Sequence, residues 1–532
     1  MKINKFTSLF ATCLLLGLTA CSNDNVSDAD SGNGAENKDL TGKTSFSITS
    51  EAKTRTSGVY DGSGVDFYWT TNDNIWVNSG STTSPTLTAS SSNNITSTTA
   101  ASAKFYFDGT YTAASYPVRY TGNASSSGNT VTIATSQNQD EANNATQLGT
   151  VGDCGVGTAT RQTDGSYKFN LSHEASYITF MPYYSKEELD ASAVVTQIKV
   201  EAADDEKLAG TFNFSDSGLG AANSSSNSVT LTLNGASSTT GFPIPTTATA
   251  SKNAAIMVVA PGTYSTFKVT YTLYDSVTGT ESTISYTYRN INCTPGKNQK
   301  ISTDLGMATY TSRKTNYYMW DAKSNYWNGY ESSQPLLNNA ANTNYAKSSA
   351  DSRWYNTAFT HNVQTKAINS CKDAPTFEAL TWYIGGGSPQ LDNKTLWVFA
   401  NHLYAGGIWL KKKNKISHFS STESYTGKAA WDSGADIPFN VAISGKPASS
   451  VRGDYFYLPA LGQYKNGKLN GLGVSGYYWA STPNPVNSGD GSVGSKAISA
   501  NCLRFAVDAT SNNVYVRSYY ERNVGMQVQA FE

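Results

Sequence analysis

Phe267-Lys268-Val269-Thr270-Tyr271-Thr272-Leu273 places an apolar side chain at every second position and a polar one between. That is the period of a β-strand with one buried face. Working outward, the alternation returns in Val229-Thr230-Leu231-Thr232-Leu233, in Gly210-Thr211-Phe212-Asn213-Phe214 and in Ile198-Lys199-Val200-Glu201-Ala202. A further unit-opening run goes from Tyr167-Lys168-Phe169 through His173 to Ile178-Thr179-Phe180, and the block closes at Pro295-Gly296-Lys297-Asn298. Strands recurring at short intervals, with turn residues between them, predict a β-sandwich over 166–306.

Upstream, 41–165 reads the same way. Thr44-Ser45-Phe46-Ser47-Ile48-Thr49 alternates, and Val65-Asp66-Phe67-Tyr68-Trp69 and Ile75-Trp76-Val77 flank the turn-like Thr71-Asn72-Asp73-Asn74. Lys104-Phe105-Tyr106-Phe107 resumes the strands after a Ser/Thr/Asn-rich stretch. A first sandwich is expected there. Abundant Tyr (33) and Gly (44) suit strands joined by tight turns, so the chain is expected to be mostly β.

The first twenty residues have the parts of a secretory signal: Lys2 and Lys5, the apolar run Leu14-Leu15-Leu16-Gly17-Leu18, and small residues before Cys21. The run is shorter than the roughly 20 apolar residues of a bilayer span. Residues 21–40 are rich in Asn, Asp, Ser and Gly with hardly an apolar side chain, the composition of an unfolded tether. Charged residues make up 15% of the chain and the formal net charge is −1, with no Lys/Arg run longer than Lys411-Lys412-Lys413. The electrostatic footprint of a nucleic-acid binder is missing, and that partner class is set aside.

From 307 onward the composition shifts, because eight of the ten tryptophans fall in 307–532. A separate domain is expected there. In it, Ala374–Tyr383 is the best helix candidate of the mature chain, with Thr376 as its cap and Phe377, Leu380 and Tyr383 on one face. Once the signal and Cys21 are set apart, Cys154, Cys293, Cys371 and Cys502 remain, and four cysteines allow three pairings. Cys371 with Cys502 is the expected disulfide, since both lie in 307–532; two buried thiols are the alternative.

Leu18-Thr19-Ala20-Cys21 resembles a bacterial lipobox, in which the cysteine is acylated and becomes the new N-terminus. With it, the strand Phe46-Ser47-Ile48 followed by Thr54-Arg55, the Trp69…Asp73-Asn74-Ile75 turn, His173…Ile178-Thr179-Phe180 and Pro295-Gly296-Lys297-Asn298 resemble, in order and spacing, the fimbrillin family of two-domain lipoprotein pilins. The resemblance implies two tandem fimbrillin-type β-sandwiches and a surface-exposed protein of the outer membrane and fimbrium, held by lipid before processing. It also implies that an Arg-directed protease cuts between Arg55 and Thr56, removing the first strand and opening a groove for a strand of a neighbouring fimbrial subunit. The alternative for Arg55 is a solvated loop residue on an uncut lipoprotein.

Cys371 ahead of Pro375-Thr376-Phe377-Glu378, Asp454-Tyr455-Phe456-Tyr457-Leu458-Pro459, Gly476-Tyr477-Tyr478-Trp479-Ala480-Ser481, Asn501-Cys502-Leu503-Arg504-Phe505 and Arg522-Asn523-Val524-Gly525-Met526 resemble an α+β C-type-lectin-like domain of bacterial surface proteins. The implied role is an adhesive head that contacts a glycan or a host or bacterial surface protein. Family stalk subunits end in a donor strand, whereas this sequence ends inside the head, which places the expected subunit at a tip or in another minor position. The Glu-Pro-Asn and Trp-Asn-Asp triplets of calcium-dependent lectins are missing, so sugar chelation by calcium is unsupported.

Catalytic chemistry finds little footing. The four histidines, His173, His361, His402 and His418, have no metal-ligand spacing, and no nucleophile elbow or phosphate loop is present. No enzyme activity, cofactor or metal is expected. His173, in an apolar strand, reads as a packing residue. The loops on either side of the Trp479 strand are the expected ligand contacts, through Tyr464 and Asn470 before it and Asn484, Asn487 and Asp490 after it. The tryptophans read mainly as core.

Overall fold

The alternating segments pair as strands, and the chain is mostly β. The computed structural model describes residues 40–48, 57–62, 64–97, 100–123, 126–234, 241–357, 367–427, 437–440, 443–483, 499–507 and 513–532.

Among the described residues the first sheet has nine strands, and toward one edge β1 (Lys43–Ile48) lies between β2 (Ala103–Asp108) and β3 (Tyr167–Phe169). Beyond β3 lie Gly155–Arg161, Ser115–Tyr120 and Trp76–Asn78; beyond β2 lies only the short strand Ser92–Asn93. Its inward positions alternate as the sequence requires, putting Phe46, Ile48, Val77, Phe105 and Phe107 into one core, which Trp69 joins from outside the sheet.

The second core lies between a six-stranded and a three-stranded sheet. The larger contains Ala193–Ala202, Gly262–Asp275 and, at its edge, β4 (Thr280–Cys293); the smaller is Ala255–Val259, Ser176–Tyr183 and Asn298–Asp304. Tyr271 and Phe180 meet in this core edge to face, with ring centroids 6.5 Å apart.

Residue 165 does not divide the packing. Tyr60, Phe67, Val131, Ile133, Leu148 and Cys154 join the second core, while Tyr167–Phe169 and Leu171–His173 complete the first sheet. Alternation says which side of a strand is buried, but not which sheet receives it. Arg119, 2% exposed, ties the two together: its Nε donates to Asp216 at 2.6 Å, and its Nη1 to the carbonyls of Gly128 and Phe214 at 3.0 and 3.1 Å.

The region after 307 is built on helix α1 (Phe377–Gly385) and on β5 (Gln390–Phe399) and β6 (His402–Lys411), which form an antiparallel pair. A second sheet centres on Ser475–Pro483, Ser499–Ala506 and Asn513–Glu521. Thr376 caps α1, its hydroxyl accepting from Ala379 N at 3.1 Å, and Phe377, Leu380 and Tyr383 are buried, as the sequence predicts. The region is not packed alone, since Leu396, Val398 and Leu403 enter the second core. Asp275, fully buried, accepts from Leu403 N at 2.9 Å and sits 3.1 Å from His402 Nδ1. Among the described residues no helix is long and apolar enough to cross a membrane.

Candidate functional site

β1 is an interior strand of the first sheet, third from one edge. On one side it runs antiparallel to β2, from Lys43 opposite Asp108 to Ile48 opposite Ala103. On the other it runs parallel to β3, with Phe46 opposite Tyr167 and Ile48 opposite Phe169. Among the described residues β2 pairs otherwise only with Ser92–Asn93, so β1 is the link through which those two strands join the rest of the sheet.

The side chains repeat the arrangement. Phe46 stacks on Tyr167 at 4.6 Å and meets Phe107 and Tyr111 edge to face at 4.9 and 5.4 Å, with Tyr116 beyond. Burying Phe46 and Ile48 stabilises the sheet by about 1.5–3 kcal/mol each. At the strand's start, Lys43 Nζ pairs with Asp108 at 2.9 Å and donates to Ser91 Oγ at 2.9 Å, while Thr44 donates to Gly109 O at 2.8 Å. Asp108 is well exposed, so this ion pair aligns the strand more than it stabilises it. Removal of β1 would leave two facing rows of unpaired N–H and C=O groups above a trough of aromatic rings. Sequence reasoning marked Phe46 but missed Tyr111, Tyr116 and Tyr167 as the lining, because nothing local to them shows which strand they face. Arg55 and Thr56 lie outside the described residues, as does Cys21.

The residues expected to bind a ligand are not brought together. Tyr464 is fully buried; its hydroxyl donates to Pro335 O and accepts from Gln334 Nε2 at 3.0 Å. It is a packing residue that stacks on Tyr326, with ring centroids 5.3 Å apart, and the expectation of a ligand contact is overturned. The reason is local: Leu461–Lys465 and Lys468–Leu472 form a hairpin whose turn residues Asn466 and Gly467 have φ of 51° and 75°, the type I′ turn that an Asn-Gly pair favours. Asn470 is half-buried in that hairpin and donates to Lys468 O at 2.9 Å. Asn484, Asn487 and Asp490 lie outside the described residues.

No disulfide joins Cys371 and Cys502. Both are buried thiols in one apolar cluster with Trp320, Trp479 and Met526, and Cys371 Sγ accepts from Asp321 N at 3.2 Å. Burial pushes the Cys371 thiol up to about 12. Trp320, Trp327, Trp397 and Trp479 are core residues. His173 packs on Phe67 at 4.2 Å, and its Nδ1 lies 2.7 Å from buried Asp153.

No family model matches the chain, and no curated protein matches it. Among solved structures, a protein described as a cell adhesion protein from Bacteroides ovatus overlaps with a TM-score of 0.31 at 12% identity, covering 49% of this chain and 92% of its own. The fimbrial anchor protein Mfa2 from Porphyromonas gingivalis overlaps with a TM-score of 0.21 at 12% identity, covering 49% and 90%. A fimbrial protein from Bacteroides ovatus spans 90% of this chain and 99% of its own, with a TM-score of 0.24 at 10% identity. Similarities this slight assign the chain neither a fold nor a role, which rest on its own residues.

Proposed function

We propose that the chain is an adhesin, a tip or minor subunit of a surface fimbrium, which loses β1 by cleavage after Arg55 and takes in a strand from a neighbouring subunit. The observation that carries this reading is the place of β1 between β2 and β3. An edge strand could leave without consequence; β1 could not, and the rows it would expose are satisfied by an incoming strand of matching alternation. Cys21 would hold the precursor to the outer membrane by its lipid. The C-terminal region would be the lectin-like head that contacts a glycan or a surface protein. Its segment from Met526 to Glu532 is already engaged, with Phe531 against Tyr383 and Phe456, and Glu532 O accepting from Tyr383 and Lys413 N.

A second reading has its own observation. With β1 in place the first sheet is complete, so an uncut lipoprotein would be a finished binder at the cell surface without joining a fimbrium. Digestion of the full chain with an Arg-specific protease decides between them. The assembly reading expects a new N-terminus at Thr56 and uptake of a labelled peptide of the sequence Lys43–Thr49, with no uptake when Phe46 of the peptide is replaced by Ala. A mature surface protein that keeps acylated Cys21, or a cut chain that ignores the peptide, would sink the assembly reading.

A further inference from the structure

Where the second sandwich meets the C-terminal region an open cleft of about 720 Å³ remains. That volume is within the range of ligand sites, about 300–1,000 Å³, and such sites concentrate at joints between domains. Thr283 and Ile284 of β4 line it, with Met307 from the connecting segment and Lys446 and Val507 from the C-terminal region. A bulge of β5 also lines it, where the register against β6 breaks between Asp392 and Leu396.

We propose that this cleft binds a carboxylated oligosaccharide. The inference deepens the adhesive part of the reading above, and rests on it, by naming a ligand class.

The charge argument comes first. Lys394 and Lys446 are exposed and form no ion pair among the described residues. The acid beside them, Asp392, is 2% exposed, and its oxygens are taken internally. They accept from Lys394 N at 2.9 Å, Thr395 N at 3.0 Å, Thr395 Oγ1 at 2.6 Å and Trp409 Nε1 at 3.0 Å. The cleft therefore offers two uncompensated cations and no available carboxylate among its described lining residues.

The backbone argument then narrows the anion. A phosphate is usually held by several converging backbone N–H groups. Here the N–H groups of Lys394 and Thr395 are occupied by Asp392, so the bulge cannot cradle one. An extended acidic peptide would need a free strand edge. The bulge offers a poor one, since its register against β6 breaks between Asp392 and Leu396 and Lys394 O accepts from Ser282 Oγ at 2.7 Å. A peptide would have only the edge of β4 to pair with, and binding of polyglutamate distinguishes it from a saccharide. Recognition falls to side chains: the two ammonium groups for carboxylates, the exposed Thr283 hydroxyl and Asn393 amide for sugar hydroxyls, and Ile284, Leu396 and Val507 for the apolar faces of the rings.

The test uses the full chain with polygalacturonate, its methyl ester and polyglutamate, read by affinity electrophoresis and calorimetry. Polygalacturonate is expected to bind, with affinity falling as salt rises, while the methyl ester does not. K394Q and K446Q should each weaken binding about tenfold, the loss of one charge-assisted contact. T283W, which fills the cleft from an exposed position, should abolish it. No binding of polygalacturonate, undiminished binding by the K394Q/K446Q double variant, or equal binding of polyglutamate would overturn the proposal. The double variant should still take up the Lys43–Thr49 peptide after cleavage. Saccharide binding without peptide uptake, or the reverse, therefore separates failure of this inference from failure of the assembly reading.

Discussion

Phe46 lies almost flat on Tyr167, ring centroids 4.6 Å apart and planes 8° from parallel, across the parallel pairing of β1 with β3. The contact joins the first strand of the sheet to one more than a hundred residues later in the chain. Phe46→Ala should therefore cost about 3–5 kcal/mol of stability, the range for a buried phenylalanine whose cavity cannot close. Denaturant unfolding checks this, with Phe46→Leu expected to cost much less. A loss below about 1 kcal/mol for the alanine variant would mean that the trough adapts, and that β1 is not held by this ring.

Buried Arg119 and half-buried Asp216 form an ion pair between the first sheet and the strands of the second core, at 2.6 Å. Removing one partner strips the other of its counter-ion, while Arg119 keeps the carbonyls of Gly128 and Phe214 and Asp216 keeps Asn78 Nδ2 at 2.8 Å. Arg119→Ala or Asp216→Ala should therefore destabilise by about 3 kcal/mol, the lower end for a broken buried pair. The double variant should cost less than the sum of the two. A double-mutant cycle by chemical denaturation reads the difference, and strict additivity would show that the pair is uncoupled.

Much of this architecture is legible in the sequence. The strands announce themselves by period two, and α1 by Thr376 ahead of an apolar face, because both signals are local. What escapes is partnership. Val131 and Ile133 alternate like any strand, and nothing near them says that they close the second core rather than the first. The Asn466-Gly467 pair is a strong local hairpin signal, yet its neighbours' amides and tyrosine suggest a binding loop, so Tyr464 reads as a ligand contact although it packs in the core. Cys371 and Cys502 share a cluster, but sharing a cluster is a weaker condition than the geometry of a disulfide.

The buried thiols should be inert while the protein is folded. Burial pushes Cys293 and Cys371 up to about 12, so their reactive thiolate is scarce at neutral pH. Alkylation at pH 8 should label these residues only after denaturation, and mass spectrometry of unreduced peptides should find no link between Cys371 and Cys502. Rapid labelling of the native chain at Cys371 would contradict its placement.

Asp392 gives the chain an acid-sensitive element. Burial by itself would raise its pKa, but hydrogen bonds from Thr395, Trp409 and the Lys394 and Thr395 amides outweigh burial and hold it below the usual carboxylate value. The stability it contributes is complete above its unfolded value of about 3.9 and is lost as pH falls through the lower folded value. Asp392→Asn should be less stable than the parent at pH 6, and the gap should narrow as pH falls below that unfolded value. A gap that stays constant across the acid range would show that the carboxylate is not the group responsible.

The strands on either side of β1 run in opposite directions, one antiparallel and the other parallel to it. The slot therefore has a head and a tail. An entering segment that reproduced both ladders would have to point the way β1 points, and reversing it would swap the two ladder types. Units joined in this manner would all face one way, so the two extremities of such a chain of subunits would present different surfaces.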